Sequence, residues 1–86
     1  MRKIVTEDVA GEGLYALLGE VVTLFCLNYI YTGQLVGVNQ TCVLLKNPAI
    51  VYETGPFTDA KWKDAQPLPN QLYVMQSAIE SFGKVK

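Results

Sequence analysis

Gly33-Gln34-Leu35-Val36-Gly37-Val38-Asn39-Gln40-Thr41-Cys42-Val43-Leu44-Leu45-Lys46-Asn47 is the stretch whose reading decides the fold. Asn39-Gln40-Thr41 is a polar turn between two apolar runs, and it divides the stretch into two strands. The first strand extends back to Ile30, and glycine interrupts it at Gly33 and Gly37. Glycine inside a strand marks a sharp bend or a close backbone approach, so two of them four residues apart predict a strand that curls. The second begins at Cys42 and runs through Lys46-Asn47-Pro48 to Ile50-Val51-Tyr52. Pro48 has no backbone donor, which predicts a bulge or bend there.

Towards the amino terminus, the period is two from Glu20 onward. Val22, Leu24 and Cys26 fall on one face, and Val21, Thr23, Phe25 and Leu27 on the other. No charged residue occurs between Glu20 and Lys46, which suits strands covered on both sides. Asn28-Tyr29 makes the turn into the next strand. Before them Leu14, Leu17 and Leu18 stand at i, i+3 and i+4, preceded by Gly13 and followed by Gly19 in the place that ends a helix left-handed. One or two helical turns are expected there. Lys3 to Val9 fits equally a frayed arm or an added strand.

Towards the carboxyl terminus, the segment from about 55 to 70 carries Pro56, Pro67, Pro69 and a mixed polar content around Trp62, and is expected to be one long loop. Gln71 to Met75 then forms a short strand, Gln76-Ser77 a tight turn and Ala78 to Phe82 a last strand, with 83–86 a frayed tail. No internal repeat or low-complexity segment is present. The chain of 86 residues is expected to be one domain: an arm over 1–11, a helix plus barrel over 12–82, and the tail.

Composition narrows the function. A domain this short buries only about 60 to 65% of its unfolded surface, yet 50% of its residues are hydrophobic and 17% charged, against roughly 25% charged in ordinary soluble domains. More apolar surface exists than one small barrel hides, so self-association is expected. Histidine is absent and net charge is −1. The first fact removes the usual general base and the commonest zinc ligand, so no enzyme is expected and no cofactor or metal. The second argues against holding nucleic acid by bulk charge neutralisation. No apolar run is long enough for a membrane span and none follows Met1-Arg2-Lys3 as a signal peptide would, so a cytoplasmic protein without membrane contact is expected. Asn39-Gln40-Thr41, which also fits an N-glycosylation site, then has no compartment in which to be modified. Cys26 and Cys42 read as free thiols, and the pairs Asp59/Asp64 and Glu7/Asp8 as solvated surface.

The Gly33–Asn47 stretch resembles the first Sm motif, with gap-free spacing closest to the bacterial Hfq branch. Met75-Gln76-Ser77-Ala78-Ile79 is similar to the second motif in its Hfq form, and the resemblance covers about residues 12 to 82. It implies a mainly β fold: a short helix laid over a strongly bent, five-stranded, SH3-like barrel. It further implies that the fourth strand pairs with the fifth strand of the next copy, closing homo-oligomeric rings of five to seven protomers. On that pattern the subunit interface takes in Leu72, Tyr73, Val74, Met75, Ile79 and Phe82. The residues lead to the same place, since an uncharged apolar edge such as Leu72 to Met75 needs another chain to cover it.

In rings of this family, single-stranded RNA bases lie in pockets near the pore, built by the turn after the second strand and the turn between the last two. By position these are Asn39, Gln40 and Thr41, then Gln76 and Ser77. The chain departs from the family here: Asn39 stands where an acidic residue is usual, Thr41 at the stacking position, and Gln76-Ser77 in place of a basic or glycine-containing pair. Asn and Gln offer donor and acceptor on one side chain, as reading a base edge requires; as a plain turn, the same residues cap their own backbone. Lys61, Trp62 and Lys63 set an aromatic ring between cations, which suits stacking on a nucleobase, although a loop tryptophan more often packs onto its own barrel or a neighbour. Tyr29 and Tyr31 share a face suited to a subunit interface or a second RNA surface, with interface packing the preferred reading. The leading expectation is a non-catalytic ring that binds single-stranded RNA. The rival is an adaptor ring that contacts other proteins through the long loop.

Overall fold

The computed structural model describes residues 13–86; the expected arm over 1–11, including Lys3 to Val9 and the Glu7/Asp8 pair, lies outside the described residues. A 3-10 turn over Gly13–Leu17 leads into β1 (Val21–Cys26), β2 (Ile30–Val38), β3 (Cys42–Glu53), β4 (Asp64–Pro67), β5 (Leu72–Met75) and β6 (Ile79–Gly83), with a second 3-10 turn, Gln76–Ala78, between the last two strands. All pairings are antiparallel. The order is β4-β3-β2-β1-β6, and β5 also pairs with β3. Among the described residues no helix is long and apolar enough to cross a membrane.

The period-two pattern of β1 produces the core. Val22 and Leu24 are fully buried, and they join Leu35 of β2, Val43 and Leu45 of β3 and Val74 of β5 in one cluster. Leu35 lies opposite Leu45 and Val43 opposite Val74, so facing positions on neighbouring strands fill the same space. Leu14 and Leu17 of the first 3-10 turn pack against this cluster, as their spacing predicts. Gly19, at φ +88°, ends that turn in the left-handed conformation expected of it. Thr23, on the opposite face of β1, is also buried, whereas Val21 on that face is 53% exposed, so the strand is covered on both sides only around its middle.

The bends fall at Gly33 and Pro48. The β2–β3 register shifts between Thr32 and Gln34, where Asn47 takes a φ of +50° and Pro48 is buried. A Cβ on Gly33 would lie 3.2 Å from the Leu45 Cβ, the Lys46 carbonyl and the Pro48 Cα, so a larger residue fits this close approach only if its neighbours shift by a few tenths of an ångström. Past this bend the two ends of β3 take different partners. Cys42–Leu45 pairs with β5, and Ala49–Glu53 with β4.

Three expectations change. The segment 55–70 is not one loop, because β4 divides it; Asp64–Pro67 contains no β-branched or aromatic residue, and it is the open edge of β3 that makes it a strand. Among the described residues the sheet therefore has six strands rather than five. Residues 84–86 do not fray: Lys84 pairs with Glu20 at 3.2 Å, and Lys86 binds the β3–β4 loop. Finally, the sheet of the single chain is not closed. Among the described residues β6 has only β1 as a neighbour, and β5 only β3.

Candidate functional site

The β2–β3 turn is built by Asn39. Its Oδ1 accepts from the Thr41 backbone N–H at 2.8 Å, the Thr41 hydroxyl at 3.0 Å and the Cys42 N–H at 2.9 Å. The Asn39 N–H donates in turn to the Cys42 carbonyl at 3.0 Å. A short side chain carrying a carbonyl is what this turn needs, because it substitutes for backbone acceptors across two residues. Asn39, Gln40 and Thr41 are all exposed.

Pairing of Cys42 with Met75 carries the chain from β5 directly onto this turn. There the Gln76 N–H donates to the Thr41 carbonyl at 2.8 Å, and the Gln76 Nε2 donates to the Asn39 carbonyl. Two turns separated by 37 positions are thus joined into one polar surface. The Asn39 Oδ1 and the Gln76 Nε2 are engaged within it. The Asn39 Nδ2, both ends of the Gln40 amide, the Gln76 Oε1 and the Ser77 hydroxyl take no part in these bonds. The five residues carry no charge and no ring, so their chemistry is neutral donation and acceptance of hydrogen bonds.

Lys61, Trp62 and Lys63 stand apart from this surface. They line a cleft of about 620 Å³ together with Gln34, Lys46 and Lys86, and none of the five turn residues borders it. Trp62 packs edge-on against Phe57, with ring centroids 6.3 Å apart, and the Lys86 ammonium lies 4.7 Å above the Trp62 ring. Trp62 therefore packs within its own loop. Lys63 pairs with Glu53 at 3.2 Å, with both side chains largely in water. Sequence reading missed Phe57 and Lys86; the signal available was an aromatic residue five positions before Trp62 and a lysine in a segment read as tail.

Of the expected interface residues, Val74 belongs to the protomer's own core, and Leu72 and Ile79 pack against it. Tyr73, Met75 and Phe82 stay 69%, 56% and 40% exposed on β5 and β6. Tyr29 meets both Tyr31 and Tyr52 edge-to-face, with ring centroids 6.3 Å apart in each pair. Burial pushes the Cys26 thiol above its ordinary pKa; the Tyr31 hydroxyl is raised by burial first and then by Cys26, Tyr29 and Tyr52. Cys26 and Cys42 are free thiols. Among the described residues no cluster of three or more His, Cys, Asp or Glu side chains is placed to hold a metal. No protein-family model matches the chain, and no curated protein matches it.

Proposed function

We propose that the chain is a non-catalytic Sm-like ring protein that binds single-stranded RNA through the joined polar turns Asn39–Thr41 and Gln76-Ser77. The observation that carries this reading is the Gln76 contact with the Asn39–Thr41 turn, which assembles from two distant motifs the polar surface that the resemblance assigns to bases. The strand path supports it as well. β4 and β5 both run along β3 and β6 along β1, which supports reading the first two as one interrupted fourth strand and β6 as a fifth. Among the described residues each of these borders has a single hydrogen-bonded neighbour, as pairing from one copy to the next requires.

Fluorescence anisotropy with labelled U-rich and A-rich oligonucleotides tests the proposal. Binding is expected with a shallow salt dependence, because no cation stands among the five residues and few counterions are released. Gln40→Ala and Gln76→Ala should each weaken it more than Trp62→Ala. No binding below about 100 µM at low salt, where phosphate attraction is strongest, overturns RNA binding in favour of the adaptor. A steep salt slope with the largest loss in Trp62→Ala moves the contact to the Lys61–Lys63 loop.

A further inference from the structure

The loop between β3 and β4 is built around a cation. The Lys86 Nζ donates to the Thr54 carbonyl at 2.7 Å, the Lys61 carbonyl at 2.9 Å and the Pro56 carbonyl at 3.0 Å. An ammonium has three donors, and each finds one oxygen. The same nitrogen lies 4.7 Å from the centroid of Trp62 and 5.7 Å from that of Phe57, within the roughly 6 Å over which a ring face attracts a cation.

The loop's own bonds set two of the three carbonyls. The Asp59 N–H donates to the Pro56 carbonyl at 3.0 Å, and the Lys63 N–H donates to the Thr54 carbonyl at 3.4 Å. Gly55, at φ +65°, allows the chain to pass against Lys63, where a Cβ would sit 3.2 Å from the Lys63 Cβ. Beside the cage lies a cavity of about 530 Å³ bordered by Pro56, Asp59, Lys61 and Trp62. The cage thus opens to solvent on a side that Lys86 does not line.

We propose that the β3–β4 loop is a receptor for a lysine side chain, which Lys86 fills from within the same chain and which a partner's lysine can occupy once Lys86 withdraws. Three carbonyls select a primary ammonium. A quaternary ammonium has no proton to give them, and the planar guanidinium of arginine does not match a three-pointed cage. The carbonyls also discriminate against a neutralised lysine, so acylation of Lys86 would empty the site. This inference is independent of RNA binding and of the ring.

Trp62 is the only tryptophan of the chain, so its fluorescence reports on the cage alone. In Lys86→Gln the emission is expected to shift to the red as the ring loses its cover. Adding n-butylammonium, which is the lysine side chain without its backbone, should reverse the shift, whereas tetramethylammonium at the same ionic strength should not. Lys86→Arg keeps the charge and is expected to emit as Lys86→Gln does. An unchanged spectrum in Lys86→Gln, failure of n-butylammonium to reverse the shift, equal reversal by tetramethylammonium, or native emission in Lys86→Arg would each overturn the proposal.

Discussion

Asn39 has two separable ends, since its Oδ1 holds the turn while its Nδ2 takes no part in the turn's bonds. Removing the side chain deprives three donors of their acceptor at an exposed site. The expected cost of Asn39→Ala is about 1 to 2 kcal/mol, measured as a fall in the urea midpoint at fixed protein concentration. Asn39→Asp keeps the acceptor and should lie much closer to the native midpoint; equal losses in the two variants would remove the capping role. The sequence made the turn legible, because Asn followed by polar residues between apolar runs has few other uses. That Oδ1 is engaged, and so unavailable to a ligand, depended on the Thr41 and Cys42 geometry.

β4 illustrates how an element can exist without a local signal. Asp64–Pro67 has weak strand propensity and buries no apolar side chain of its own, and it is held by the backbone edge that β3 presents beyond the Pro48 bend. Pro67 is tolerated because it is the last residue of the strand. Protection should follow burial, so amides of residues 64–66 are expected to exchange with solvent well before those of β1 and the Leu35 region of β2. Equal protection across these strands, measured by hydrogen exchange and mass spectrometry, would mean that β4 belongs to the core unit. β1, in contrast, was visible in the sequence as a period-two strand, although both of its faces are largely apolar and only the fold shows that Val22 and Leu24 point into the core.

For the whole molecule, the decisive feature is an open sheet with Tyr73, Met75 and Phe82 exposed along β5 and β6. Strand borders that lack a second neighbour among the described residues invite another chain, and pairing one border with the opposite border of an identical copy closes a ring when the rotation allows it. Native mass spectrometry at micromolar concentration is expected to show a closed oligomer of identical chains. Tyr73→Lys combined with Phe82→Lys should shift it to smaller species while far-UV circular dichroism stays unchanged. A native chain that is monomeric under these conditions would remove the ring and leave the polar turns as an isolated surface.

By itself the sequence determined the β class, the turn at Asn39–Thr41, the bends at Gly33 and Pro48, and the alternating strand that is β1. Each of these is a local matter of periodicity, backbone freedom or a missing donor, and neighbouring residues suffice to express it. Tertiary structure alone decided that Gln76 reaches the Asn39–Thr41 turn, that β4 exists, and that Lys86 folds back into the loop around Trp62. Those contacts join residues 25 to 37 positions apart, or depend on the free backbone edge of β3. Their partners are set by the path of the bent sheet, so no short window of sequence contains them.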